Sequence, residues 1–157
     1  MRYFLDCEFN EFGGQLISMG IVREDDESIY LVYPMHEKPG KWVKKNVIPV
    51  IWNIPSPLPG MAHTLNSHEE GAHILEKFFR PDKTPHVITD WPDDIKYFCD
   101  AIMTGPGEMV AIRRISFDMI RGIPVYIDGY SPPIAGAVRH NAWWDAKCMK
   151  EVLEPNK

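Results

Sequence analysis

Residues 3–9 read Tyr3-Phe4-Leu5-Asp6-Cys7-Glu8-Phe9. The run has the length and apolar content of a strand. Side chains alternate across a strand, so Phe4, Asp6 and Glu8 share one face while Tyr3, Leu5, Cys7 and Phe9 share the other. Two carboxylates on one face of an apolar strand repel each other and lose hydration together. A lone Asp-x-Glu at a strand end is commonly just solvated. The other compensation is a divalent cation with oxygen ligands, and the rest of the chain bears on which applies.

Working outward, residues 16–22 and 28–33 are apolar runs of strand length, and residues 23–27 between them are all charged. With the two-glycine turn at 11–14, this predicts a three-strand antiparallel opening. Prolines at 34, 39, 49, 55, 57 and 59 forbid a long helix there, although 41–47 has room for two helical turns. Residues 67–79 predict a helix: Ser67 and Glu70 form a capping box, and Ala72, Leu75 and Phe79, widened by Ile74 and Phe78, form its stripe. His68 and His73 read as surface residues of that helix. Residues 86–89 predict a strand that runs into a helix with Pro92 in its first turn and a stripe of Ile95, Phe98, Cys99 and Ile102. Gly105-Pro106-Gly107 would end it. Residues 109–120 favour strand by β-branched content, 124–127 a short strand, and 131–136 a loop. The final helix spans 142–153, with Ala142, Ala146, Met149 and Leu153 buried and Asp145 along the edge of that face. The order β-β-β-α-β-α-(β)-α describes an α/β domain, a mixed sheet with helices packed on it.

A chain of 157 residues with 45% hydrophobic content fits a single domain over 1–157. Three scattered cysteines and no CxxC argue against a disulfide framework or structural zinc, and for a reducing, cytoplasmic setting. No leader pattern and no run of ~18 apolar residues is present, so a membrane partner is not expected. The net charge of −5 at first disfavours a polyanionic partner. An acidic metal cluster lowers net charge by itself, however. Basic groups at Lys41/Lys44/Lys45, Arg113/Arg114, Arg121 and Arg139 are ordinarily solvated surface.

Two further segments carry chemistry. Asp94 stands in the first turn of a helix, where the dipole alone favours an acid, and Asp90 and Asp93 compete for any role given to it. In His140-Asn-Ala-Trp-Trp-Asp145, an inward aspartate needs a partner. A cation shared with Asp6 and Glu8 would supply one, leaving His140 free to take a proton from a bound water. At least one of Trp143 and Trp144 must face the core.

Taken in order, Asp6-x-Glu8, the strand-plus-helix Asp94 and His140-x-x-x-x-Asp145 resemble the motif set of the DEDDh 3′–5′ exonucleases, a superfamily of ribonuclease-H-like fold. The last segment looks like that family's His-x-Ala-x-x-Asp-Ala, and Asp90 stands where members often carry Asn. The short length, the Phe9-Asn10-Glu11 sequel and the Asp-Trp-Pro run look most like a small bacterial or phage exoribonuclease subgroup. Phe9-Asn10 replaces the Thr-Gly that often follows the first motif. The resemblance implies a ribonuclease-H-like mixed sheet and hydrolysis of single-stranded RNA from its 3′ end to nucleoside 5′-monophosphates. It implies Asp6, Glu8, Asp94 and Asp145 as ligands of two Mg²⁺ or Mn²⁺ ions, with His140 as general base. Phe9, Asn10 and Trp91 are candidate substrate contacts, the aromatics by stacking on bases. A single-stranded DNA exonuclease, a catalytically silent nucleic-acid-binding domain of the same fold, and a nucleotide or sugar-phosphate phosphatase are the other readings. Relatives of this kind are often homodimers, and no stripe here marks an interface.

Overall fold

In β1 (Arg2–Phe9), Tyr3, Phe4 and Leu5 are fully buried, as befits a strand with helices on both sides. The structure is a computed structural model that describes residues 1–58, 60–122 and 132–155. After β1 come β2 (Leu16–Arg23), β3 (Ser28–Val32), α1 (Lys41–Asn46), a 3₁₀ turn (Ile48–Val50) and β4 (Met61–Thr64). Then follow α2 (His68–Phe79), β5 (His86–Thr89), α3 (Pro92–Ala101), β6 (Met103–Gly105), β7 (Glu108–Met109), β8 (Ser116–Met119) and α4 (Ala142–Leu153). Six strands form one sheet in the order β4-β3-β2-β1-β5-β8. The first three strands are antiparallel, β5 runs parallel to β1, and β8 parallel to β5. The expected α/β architecture with a mixed sheet is therefore observed.

The alternation of β1 divides the core. Tyr3, Leu5 and Cys7 pack with Ala72, Leu75 and Phe79 of α2 and Tyr97, Phe98 and Ala101 of α3. Phe4, on the other face, packs with Cys148 and Met149 of α4. Trp143 is buried here with Val22 and Tyr30, and its indole N–H donates to Ser28 Oγ at 3.0 Å. Trp144 is the outer tryptophan, its indole donating to Asn53 O at 2.8 Å. Between Glu8 and Phe9 the β1–β2 register shifts by one, leaving Ile17 as the extra residue. Ile17 packs against Val43 and Val47, so this bulge seats α1.

Several details differ from the sequence reading. In the α2 cap, Ser67 Oγ accepts the Glu70 N–H at 3.1 Å, but the Glu70 carboxylate accepts the backbone N–H of Asn66 (2.7 Å) rather than that of Ser67. The box closes one residue early. In α3 the buried stripe is Asp94, Tyr97, Phe98 and Ala101, and Cys99 is exposed. The inward face begins with a carboxylate, which a search for apolar periodicity passes over. Gly105-Pro106-Gly107 does not end α3; it turns the β6–β7 hairpin, with Gly107 at φ +75°. Within 109–120 only Ser116–Met119 joins the main sheet. Strand β4 was not expected: it is short and mostly exposed, and only its parallel pairing with β3 defines it. The strand expected at 124–127 and the first residue of the 131–136 loop lie outside the described residues. Among the described residues, no helix is long and apolar enough to cross a membrane.

Candidate metal centre

Gly20 explains how α4 reaches the acidic end of β1. It is the partner of Asp6 across the β1–β2 pair. A Cβ there would lie 2.3 Å from Ala142 O and 2.5 Å from Trp143 Cα. The first turn of α4 thus rests on bare backbone beside the two β1 carboxylates. Asn141, fully buried, caps that turn: its Oδ1 accepts the Trp144 N–H at 3.2 Å. Its Nδ2 donates to Val50 O (2.9 Å) and Ile51 O (3.2 Å), tying α4 to the 3₁₀ segment. His140, just before the cap, has φ +63°, a left-handed state uncommon for any residue but glycine. That turn lets its N–H donate to Asp145 Oδ2 at 3.0 Å, which folds the loop back over the carboxylate.

Asp94 arrives from the other side of the sheet. The β1–β5 pairing ends at Phe4 and Ile88. Beyond it, Asp94 Oδ1 accepts the Cys7 N–H (3.2 Å) and Oδ2 accepts the Thr89 hydroxyl (2.5 Å). Asp94 is 1% exposed, whereas Asp93 is half-buried at the cleft wall and accepts the Trp91 indole N–H at 2.9 Å. The two neighbours are thereby told apart.

Two groups of side chains have ligand atoms all within 4.8 Å of one another: Asp6, Asp90 and Asp94, and beside them Glu8, His140 and Asp145. The five residues expected from sequence are thus brought together, and Asp90 joins them. Each group has the donors to hold a metal ion. Asp6 Oδ2 is buried and has no hydrogen-bond partner among the described residues, the condition a cation relieves. Burial, then repulsion from Asp94, Asp145 and Glu8, pushes the Asp6 carboxyl well above the usual range. Glu8 is raised by burial, then by Asp145 and Asp94. Asp94 is pushed up to about 8, chiefly by burial, against the opposing Thr89 hydrogen bond. Asp90 is raised by burial too. His140 is lowered by burial and by the Arg139 charge, both of which favour the neutral ring.

These shifts set a pH dependence. Protonated Asp94 is the form the metal-free fold favours, and an unfolded aspartate titrates near 3.9. Stability held below about pH 4 is therefore lost as pH rises toward about 8, with Asp6 and Glu8 acting in the same direction. Asp26, lowered by its hydrogen bonds from Lys147 and Lys150, acts oppositely, losing its contribution as pH falls below about 4. In EDTA the melting temperature is expected to fall from pH 5 to pH 8. The increment from added Mn²⁺ is expected to grow over the same range. An increment equal at both pH values would show that the carboxylates do not hold the ion.

A cleft of about 810 Å³ opens over these groups, lined by Asp6, Glu8, Asp94, His140 and Asp145. Its rim is aromatic: Phe12 is 94% exposed, Trp42 52% and Trp91 46%. Arg121 lies 4.6 Å over the Trp91 ring, and the Trp42 ring meets His140 edge-on at 4.8 Å. Trp42 and Phe12 were not anticipated; an aromatic in a Gly-rich turn and one among lysines were the available signals. Phe9 lines the cleft while stacked on Tyr97 at 4.6 Å. Asn10 is occupied otherwise. Its Nδ2 donates to Glu37 Oε2 (3.1 Å) and Lys38 O (3.2 Å), and its Oδ1 accepts the Gly40 N–H (2.8 Å). It ties the end of β1 to the segment before α1, which leaves little of its amide for a substrate. No protein-family model matches the chain, and no curated protein is significantly similar to it.

Proposed function

We propose that the protein is a metal-dependent 3′–5′ exoribonuclease of ribonuclease-H-like fold, acting on single-stranded RNA and releasing nucleoside 5′-monophosphates. The observation that carries this reading is the pair of adjacent ligand groups, Asp6–Asp90–Asp94 and Glu8–His140–Asp145, built on one strand end inside an aromatic-rimmed cleft. The strand order, three antiparallel strands followed by two parallel to the first, supports the fold assignment. So does the placement of the acids at the carboxyl end of parallel β1, where open α/β sheets bind ligands.

Two Mg²⁺ or Mn²⁺ ions held by Asp6, Glu8, Asp94 and Asp145 would supply charge neutralisation at the scissile phosphate and activation of the attacking water. Asp90 adds a carboxylate to the Asp6–Asp94 group. His140 takes the proton from the water; its lowered pKa keeps the ring ready to accept it near neutral pH. Hard divalent ions prefer oxygen donors, which favours the imidazole as base rather than as ligand. Asp145 orients the His140 loop through the backbone N–H it accepts. Trp91, Phe12 and Phe9 offer stacking faces, which are sequence-tolerant and suit a strand presented end-on.

The test is a 5′-labelled single-stranded RNA oligomer, and its DNA counterpart, incubated with Mg²⁺ or Mn²⁺ and with EDTA. A ladder shortening from the 3′ end of RNA, abolished by EDTA, is the expected result. Preference for DNA would overturn the substrate, and a single internal fragment the polarity. No cleavage of either polymer would overturn the enzyme reading in favour of a binding domain. His140→Ala is expected to lower turnover about 10²–10⁴-fold while leaving the Mn²⁺ melting increment in place. Near-full activity at pH 7 in that variant would remove His140 as base.

A further inference from the structure

Helix α1 is mounted on the cleft from both ends. At its start, the Gly40 N–H donates to Asn10 Oδ1, two residues beyond Glu8 on the β1 chain. Past its end, Val50 O and Ile51 O accept from Asn141 Nδ2, one residue after His140. Val43 is buried against Ile17 and Val47, which sets the rotation of the helix. At 100° per residue, Lys41 and Lys45 then form the outward ridge and Trp42 the flank beside it. Trp42 reaches the cleft and meets the His140 ring. Lys41, Lys44 and Lys45 are all exposed, and none is in an ion pair among the described residues. In a chain of net charge −5, unpaired cations gathered on a short helix at the rim of an acidic cleft complement a polyanion that enters it.

We propose that α1 is a docking shelf for the part of a single-stranded polynucleotide upstream of the scissile bond, with Trp42 stacking on a base and Lys41 and Lys45 pairing with successive phosphates. The proposal deepens the nuclease reading and rests on the cleft being a polynucleotide site. It assigns the substrate class as a polynucleotide strand that extends beyond the cleft, because Lys41 and Lys45 are not among the residues that line it. Four residues separate the two lysines, about 6 Å along the axis, a step comparable with that between neighbouring phosphates. The bond to phosphate is electrostatic and independent of base identity.

Trp42 touches His140, so the lysines give the cleaner variant, Lys41→Gln/Lys45→Gln. Its melting temperature should match that of the unaltered protein. A fluorescently labelled single-stranded RNA oligomer is titrated by anisotropy across a salt series, with Ca²⁺ in place of Mg²⁺. Loss of two phosphate contacts should flatten the slope of log K against log salt by about 1.4, at about 0.7 per contact for single strands. Affinity near physiological salt should fall on the order of tenfold. In turnover, KM for the oligomer should rise with kcat unchanged, and hydrolysis of a p-nitrophenyl nucleotide ester should be unaffected. An unchanged slope, or no oligomer binding by the unaltered protein, overturns the shelf. Salt-dependent binding that the lysine variant weakens, with no cleavage under any metal, leaves the shelf standing and overturns the nuclease reading instead.

Discussion

Asp6→Asn is expected to cripple metal-dependent hydrolysis and, at the same time, to raise the melting temperature of the metal-free protein. Asp6 is pushed up first by burial and then by Asp94, Asp145 and Glu8, and its Oδ2 has no hydrogen-bond partner among the described residues. In the absence of a cation the fold therefore bears the cost of a buried like-charge cluster. Asparagine keeps the shape and removes one charge, so the metal-free state gains stability near pH 8, where the carboxylates would otherwise ionise. The same change removes a ligand from the Asp6–Asp90–Asp94 group. The melting increment from Mn²⁺, which grows with the ratio of free ion to its Kd, should shrink accordingly. Charge stabilisation by metal is worth several kcal/mol, so turnover should drop about 10²–10⁴-fold at about 1.4 kcal/mol per decade. Thermal melts in EDTA and in Mn²⁺, with the labelled-oligomer assay alongside, check all three. A lower metal-free melting temperature would show that Asp6 stabilises the fold in its own right. Activity within tenfold of the unaltered protein would remove it from the metal set.

Gly20→Ala should damage both stability and site, although it adds only one methyl. Two effects oppose each other. Alanine in place of a strand-interior glycine restores about 0.5–1 kcal/mol of conformational entropy. Against this, the new Cβ meets Ala142 O at 2.3 Å and Trp143 Cα at 2.5 Å. Those are backbone atoms, which no rotamer change can clear, so α4 must lift from β2. Overpacking of this kind costs about 1–3 kcal/mol or more, and it outweighs the entropic gain. Net of the entropic gain the loss is about 0.5–2 kcal/mol; for a chain of this length each kcal/mol is worth about 2–4 °C, so the melting temperature should fall by about 1–8 °C. The part of α4 displaced is the turn that carries His140 and Asp145. A shift near 1 Å costs on the order of 10²-fold in rate. Gly105→Ala is the control, because nothing lies closer than 3.5 Å to a Cβ there; its effect should stay within about 0.5 kcal/mol. If Gly20→Ala leaves the melting curve and the Mn²⁺ increment unaltered, the close approach of α4 does not set the site.

Much of this is legible in the sequence. Alternation in residues 3–9 puts Asp6 and Glu8 on one face, and both line the cleft that Asp145 of α4 also lines. Charged residues between two apolar runs marked the β2–β3 turn. Ser67 and the Ala72–Leu75–Phe79 stripe marked α2, and the stripe of Ala142, Ala146, Met149 and Leu153 marked α4. In each case the signal is a periodicity or a cap, carried by residues within a turn or two of one another. Such local preferences are printed in the order of the residues and need no partner to be read.

What lay beyond the sequence depends on partners far along the chain. Asp94 rather than Asp93 joins the Asp6 group because the β1–β5 pairing opens after Phe4 and leaves the Cys7 N–H to be met, 87 residues away. Asp90 enters the Asp6 group only once β5 has been laid beside β1. Strand β4 exists through its pairing with β3. Trp42 belongs to the cleft because Asn10 and Asn141 fasten α1 and the segment after it to the two chain segments that bear the acids. By itself the sequence determined which residues carry charge, which repeat with a strand or helix period, and where helices begin, because these are short-range properties. Which carboxylate turns inward, which aromatic is left exposed, and how closely a helix may approach bare backbone at Gly20 were decided only by the tertiary structure, because each depends on what a distant segment places opposite it.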